Sequence, residues 1–258
     1  MPNVDRHQPG TFNWFELATT DQNAAKEFYG QLFGWQAFDS PIGPGQFYTQ
    51  FKLDNRDAAA GYTMPPDMQA QGIPPHWDIY ISVDNADETA AKIEASGGKV
   101  IGPPFDVMTY GRMAVVADPT GAVFCIWQPK DHIGTTIAGV DGTACWADLS
   151  TTDADAASEF YTSVFGWELY TAPGDPSGYK HIKVGTNHIG GVPPADPGLP
   201  SHWLIYFLVS DVDVSTDKAG SLGASTLVPV TEVPNTGKFS IVKDAQGAAF
   251  ALFEPARQ

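Results

Sequence analysis

The sequence is short of cysteine, of basic residues and of long apolar runs, and each shortage removes a class of protein. Only Cys125 and Cys145 occur among 258 residues, too few for a disulfide framework or a four-thiolate zinc site, so both are expected as buried, reduced, small apolar side chains. Fourteen Lys and Arg face thirty Asp and Glu, a formal charge of −16; such a charge repels phosphate backbones and anionic headgroups and argues against nucleic acid or membrane as partners. The longest apolar run, LIYFLV at 204–209, is far too short to cross a bilayer. The N-terminus, MPNVDRHQPG, lacks the apolar core of a signal peptide, so a cytoplasmic protein is expected, as monomer or homodimer. At 43% hydrophobic and 17% charged, the chain can bury one large core or two ordinary ones.

What the chain does contain is repetition. EFYGQLFGW at 27–35 returns as EFYTSVFGW at 159–167, with six identities at an offset of 132. The match extends backwards: WFELATTDQNAAKEFYGQLFGW from Trp14 is answered by WADLSTTDADAASEFYTSVFGW from Trp146. Both pass from period-two alternation to helical spacing. Asp21 suits an N-cap, Ala24, Phe28 and Leu32 form a helical stripe, and Gly34 stands where a left-handed terminator is wanted. A second pattern, HWDIYISVDNADETAAKIEASGG from His76, returns as HWLIYFLVSDVDVSTDKAGSLGA from His202. Each helix is followed by short strands, the last pair joined by a turn such as Asp-Pro-Thr-Gly. The units span about 10–66, 75–129, 142–195 and 201–256, after a tail at 1–9 and around a linker at 130–141. They form two domains, 10–129 and 142–256.

With its βαβββ modules, FYxxxFGW helix ends and Asp-Pro-x-Gly turns, the chain resembles the vicinal oxygen chelate superfamily of glyoxalase I, bleomycin-resistance proteins and extradiol dioxygenases. The TTD…FYxxxFGW form is similar to tandem actinobacterial glyoxalase-like or hydroxylase proteins. The resemblance covers nearly the whole chain and implies an α+β fold, four modules making two half-open mixed-sheet barrels. Whether modules pair within or across halves stays open.

Alternation assigns the faces independently, because the face beneath each helix must be apolar. Phe15 and Leu17, then Trp77, Ile79, Ile81 and Val83, take the helix side, leaving Trp14 and Glu16, then His76, Asp78, Tyr80 and Ser82, on the concave side. In the second half, Trp146 and Asp148, with His202, Leu204 and Tyr206, are concave. Glu16 and His76 are the candidate catalytic groups. Trp14, Asp78, Tyr80, Trp127, Trp146, Asp148, His202 and Tyr206 are candidate ligand contacts, aromatic walls with a few convergent polar groups. His7, His132, His181 and His188 fall on tails, connectors or weakly patterned strands and are expected at the surface.

The resemblance implies a divalent ion held by His, Gln or Glu on the first and last strands of paired modules. Its positions fall on Trp14, Asp78, Cys125 and Gly61, and on Trp146, Leu204, Ala251 and Gly190, a set that does not reproduce those sites. No cofactor is therefore expected. The alternative is a displaced zinc, iron or manganese site of Glu16, His76 and Asp78. Three functions remain in play. One is a metal-independent enzyme on a small metabolite, with Glu16 or His76 moving a proton; another is a non-catalytic sequestration protein; the third is a metal-dependent lyase or dioxygenase.

Overall fold

The computed structural model describes residues 3–196 and 198–256. The first half runs β1 (Phe12–Thr19), α1 (Gln22–Phe33), β2 (Gln36–Gly43), β3 (Gln46–Leu53), β4 (Arg56–Thr63), α2 (Pro66–Ala70), β5 (His76–Ser82), α3 (Ala86–Ala95), β6 (Lys99–Val107), β7 (Gly111–Ala117) and β8 (Val123–Pro129). The second runs β9 (Ala144–Ser150), α4 (Ala154–Phe165), β10 (Glu168–Thr171), β11 (Lys180–Val184), β12 (Asn187–Val192), β13 (His202–Leu208), α5 (Val212–Ser221), β14 (Ser225–Val233), β15 (Gly237–Lys243) and β16 (Ala249–Pro255). Each module is a strand, a helix and three strands, and α2 is a short insertion in the proline-rich connector.

The strands form two eight-stranded mixed sheets, ordered β2-β3-β4-β1-β5-β8-β7-β6 and β10-β11-β12-β9-β13-β16-β15-β14. The central pair of each, β1 with β5 and β9 with β13, is antiparallel and joins the two modules of one half. Pairing is therefore within halves.

Local chemistry sets the repeated helices. Asp21 Oδ1 accepts from the amides of Asn23 and Ala24 at 3.1 and 3.0 Å, and Asp153 does the same for Asp155 and Ala156. Gly34 and Gly166 end α1 and α4 at φ 77° and 70°, a region costly for any residue with a Cβ. The buried stripe of α1 is Ala25, Phe28, Tyr29 and Leu32. Ala24 is displaced from it, because the i, i+3, i+4, i+7 spacing that buries both Phe28 and Tyr29 starts at Ala25.

Phe15, Leu17, Trp77, Ile79 and Ile81 share one core with Ala147, Leu149, Trp203, Ile205 and Phe207. The helix-side faces of the two sheets are thus the inside of the molecule, with α1 against α5 and α3 against α4. Each nonapeptide serves the opposite half. Tyr29 donates to Asp244 Oδ2 (2.8 Å) and Tyr161 to Asp118 Oδ2 (3.2 Å). Trp35 Nε1 donates to the Gly142 carbonyl (2.9 Å) and Trp167 Nε1 to that of Gly10 (2.7 Å). Lys92 and Lys218 reach the last carbonyls of the facing α4 and α1, at Val164 and Leu32, the negative end of each helix dipole.

Candidate active site

The concave faces lie on the outer sides of this shared core. In the first half, strand register lays side chains out in rows. One row reads Phe38, Gln50, Ala60, Glu16 and Asp78. The next, toward one end of the strands, reads Tyr48, Tyr62, Ala18 and His76. Toward the other end, Trp14, Tyr80, Cys125 and Val115 follow. Trp14, Ala60, Tyr80, Cys125 and Trp127 pack together as a second, smaller core that floors the concavity. Phe38 on β2 and Phe105 on β6 stand 44% and 49% exposed at its two edges.

Glu16 is 8% exposed. Its Oε2 accepts the Tyr80 hydroxyl at 2.7 Å, and Tyr48, which receives the Trp14 indole N–H at 2.9 Å, is a second donor to the carboxyl. Burial lifts the Glu16 pKa to about 7; the Asp78 charge adds to the rise, while the tyrosine bonds and His76 oppose it. A carboxyl so poised is both acid and base near neutral pH. His76 sends Nδ1–H to the Pro74 carbonyl (2.7 Å) and holds Nε2 3.4 Å from Asp78 Oδ2. Burial pulls its pKa down, but the bond to Asp78 and the Asp78 charge outweigh that and raise it to about 9.

The second half repeats the clamp with other consequences. Asp148 accepts from Trp146 Nε1 (3.0 Å), the Tyr179 hydroxyl (2.5 Å) and the Tyr206 hydroxyl (2.8 Å). Burial raises its pKa and these three bonds oppose the rise. Its row reads Tyr170, His181, Gly191, Asp148 and Leu204, so Leu204 stands where the first half has Asp78. A methyl group at Gly191 would run into the Tyr179 ring and hydroxyl. Gly191→Ala is accordingly expected to push Tyr179 off Asp148 and destabilise the protein by about 1–3 kcal/mol, read as a lowered urea midpoint; an unchanged midpoint would refute the clamp.

Strand pairing sets Trp14, Glu16, His76, Asp78 and Tyr80 on one face and Trp146, Asp148, His202, Leu204 and Tyr206 on the corresponding face of the second half, with His76 and His202 at the margins; His202 Nδ1 donates to the Pro200 carbonyl at 2.8 Å. Sequence reading passed over Tyr48 and Tyr179. Their signal is faint: a tyrosine at matching places in FYTQFKL and YKHIKV, visible only once the halves are aligned. Three histidines expected at the surface are not there. His7 is half-buried on the Thr135 carbonyl (2.8 Å), His132 stands edge-on to Trp14 with ring centroids 4.7 Å apart, and His181 lies 6.4 Å from Trp146. The linker and tail fold back over the first sheet, which places two of them. His188 is exposed. Cys125 is buried and Cys145 only half so; both are free thiols, and burial pushes the Cys145 pKa up to about 12 and that of Cys125 well above its ordinary value.

The family model of the glyoxalase/bleomycin resistance protein/dioxygenase superfamily matches residues 11–126 and 143–252. The chain belongs to that superfamily. Within the glyoxalase superfamily it is 40% identical to the putative glyoxylase CFP32 of Mycobacterium tuberculosis, over the whole of both chains. It is 35% identical to the anthracycline biosynthesis protein DnrV of Streptomyces peucetius, over 97% of this chain and 95% of that protein. The Mn(II)-bound glyoxalase of Novosphingobium aromaticivorans shares its fold at TM-score 0.68 and 16% identity, covering 96% of this chain and 82% of the other. The 2,3-dioxygenase LapB of Pseudomonas sp. KL28 does so at 0.68 and 16%, covering 100% and 94%.

The superfamily's metal can be tested against this chain's donors. Asp78 pairs with Glu16, and the residue opposite Trp14 is Tyr80, so the implied positions Trp14 and Asp78 do not share one row. Gly61 and Gly190 face the packed side, against Leu17 with Phe51 and against Ala147 with Phe12; Ala60 and Gly191 hold the concave places. Glu16 Oε2 is taken by Tyr80, and no three His, Cys, Asp or Glu side chains converge as a metal site among the described residues. The inherited positions Trp14, Gly61, Trp146, Leu204, Ala251 and Gly190 offer no side-chain donor, and Glu16, His76 and Asp78 do not gather as a three-ligand group among the described residues. No helix among the described residues is long and apolar enough to cross a membrane.

Proposed function

We propose that this glyoxalase-superfamily protein is a metal-independent enzyme whose first concave face binds a small molecule with a flat apolar part and moves a proton through Glu16. The observation that carries this reading is the Glu16 carboxyl, buried, held between two tyrosines and brought to a pKa of about 7 beside Asp78 and His76. A general acid or base works best when its pKa lies near the working pH. Trp14, Tyr80 and Trp127 supply the apolar floor, and Phe38 and Phe105 the exposed edges. The names of the relatives, a glyoxylase and an anthracycline biosynthesis protein, support small-molecule chemistry with a flat ligand.

A second reading, binding without chemistry, is favoured in the second half. There three donors already occupy Asp148 and Leu204 removes the second carboxylate. Trp146, Tyr206 and His202 would contact a ligand held there.

The test is proton exchange. A panel of aromatic and aliphatic ketones and hydroxyketones is incubated with the protein in D2O, and C–H loss is followed by NMR. Glu16→Gln is expected to slow exchange at least about 100-fold while ligand affinity changes only a few-fold. Full exchange by Glu16→Gln rejects the role, and tight binding without exchange by the parent protein moves the first half to the sequestration reading.

A further inference from the structure

The linker after β8 turns back across one end of the first concave face. Lys130 and His132 both give their backbone N–H groups to the Tyr110 carbonyl (3.0 Å each), and the His132 carbonyl accepts the Trp127 indole N–H (2.9 Å). The His132 ring stands edge-on to Trp14 and Trp127, with ring centroids 4.7 and 6.2 Å away. Thr135 N–H then donates to the Asn13 carbonyl (2.7 Å) and Thr136 N–H to that of Asp57 (2.9 Å), which ties the linker to β1 and β4. Gly134, at φ 105°, makes this approach possible, because a methyl group there would collide with the Asn13 carbonyl. The N-terminal tail closes over the linker in turn. His7 Nε2–H donates to the Thr135 carbonyl (2.8 Å) and Val4 N–H to that of Thr136 (3.1 Å). Ile137, 1% exposed in the shared core, anchors the far end.

Two features make this strap conditional. Gly134 N–H donates to His132 Nδ1 (3.2 Å), a bond that exists only while Nδ1 carries no proton; once protonated, two N–H groups face each other. With the strap in place, Asn13 Oδ1 and Asp57 Oδ1 are also buried without a hydrogen bond, a cost that contact with water relieves. The Lys52 ammonium lies 3.0 Å from Asp57 Oδ1. The titratable groups facing His132 are Asp57 on β4, whose Oδ2 is 3.9 Å from Nε2, Lys52 on β3, His7 of the tail and Tyr110 before β7. Burial lowers the His132 pKa; Asp57 opposes the fall, while Lys52 and His7 add to it. Burial lowers the His7 pKa as well, against its backbone bonds. In the second half the imidazole beside the tryptophan is that of His181, a residue of β11 paired with β10 and β12, so it belongs to the sheet and not to a strap.

We propose that residues 130–136, clasped by the N-terminal tail, form an acid-released strap over the Trp14 and Trp127 end of the first concave face, with the His132 imidazole as its trigger. At neutral pH Nδ1 accepts the Gly134 amide and the strap is shut. Protonation removes that acceptor, the turn at 132–134 opens, and the Trp14 and Trp127 rings are bared to a ligand. The lowered pKa values fix the sign. The open strap takes up protons more readily than the closed one, so closure is complete above the ordinary 6.5 and weakens as pH falls below it. The strap works whether the face beneath it reacts or only binds, and so stands independently of the role given to Glu16.

Hydrogen exchange followed by NMR reads the strap directly. Four N–H groups report on it: the amides of Gly134, Thr135 and Thr136 and the Trp127 indole. Between about pH 7.5 and about pH 5.5 their protection factors, corrected for the intrinsic pH dependence of exchange, should fall at least about 10-fold, while the amides of the β1–β5 pair keep theirs. The fall should share its midpoint with the titration of the His132 ring, followed by the ring's own signals. His132→Asn offers an oxygen near the place of Nδ1 and does not titrate, so its strap should stay protected at the lower pH. Glu16 titrates in the same range on the neighbouring row, and Glu16→Gln should lose protection just as the parent does. Unchanged protection in the parent, a midpoint apart from that of His132, or a Glu16→Gln protein that no longer responds would each overturn the strap. Loss of protection throughout the β1–β5 pair would show global unfolding and overturn it too.

Discussion

Replacing Asp244 by alanine is expected to destabilise the protein by about 3–5 kcal/mol. Asp244 is 3% exposed and works with both oxygens. Oδ1 accepts the amides of Gln246, Gly247 and Ala248 at 3.0, 2.8 and 2.9 Å, and Oδ2 accepts Tyr29 from the other half. Alanine leaves the Tyr29 hydroxyl without its acceptor in a core where Trp77 Nε1 already donates to it. For a chain of this size the melting temperature should fall by roughly 10 °C. Asp118→Ala, in the mirrored turn, should behave alike, because Asp118 accepts Thr120, Ala122 and Tyr161 in the same pattern. Calorimetry of either variant should show one transition, since one core spans both halves. Two separate transitions, or a shift of only a degree or two, would contradict this description.

Glu16 makes stability depend on pH with a definite sign. Its folded pKa of about 7 lies above the ordinary 4.5, so between those values the folded protein holds a proton that the unfolded chain releases. The contribution is complete below pH 4.5 and disappears as pH rises through 7. Its size is about 3 kcal/mol, from roughly 2.5 pKa units. Glu16→Gln lacks this ionisation. The stability difference between parent and variant, from urea unfolding at several pH values, should therefore move against the parent by about that amount across the window. His76, raised from 6.5 to about 9, also loses its contribution on the alkaline side, and the difference measurement cancels most of it. A parent-minus-variant curve that stays flat would show Glu16 to be an ordinary carboxylate.

Much of this molecule could be read from alternation and spacing, because those signals are local. Trp14, Glu16, Asp78 and Tyr80 could be put on one face, and Asp21 and Gly34 could be set as the ends of a helix, from a few neighbouring residues each. What could not be read depends on register between distant segments. Tyr48 and Tyr62 sit on strands whose alternation is visible, but only the pairing of β3, β4 and β1 brings one to Glu16 and leaves the other free. The same holds for Tyr29 and Asp244, 215 residues apart. The metal positions implied by the resemblance fall on Trp14 and Asp78; the strand pairing sets Tyr80 opposite Trp14 and Asp78 opposite Glu16, and positions carried over along each segment hold no information about the register between segments. His132 was misplaced for a simpler reason: connector composition says nothing about where a connector folds back.

The shared core has one more consequence. Because the apolar sides of the two sheets are packed on each other, their concave faces look away from that core in opposite directions. The packed core lies between the two faces, so the direct route from one to the other is filled with side chains. Each face therefore meets solutes from the solvent on its own side of the shared core.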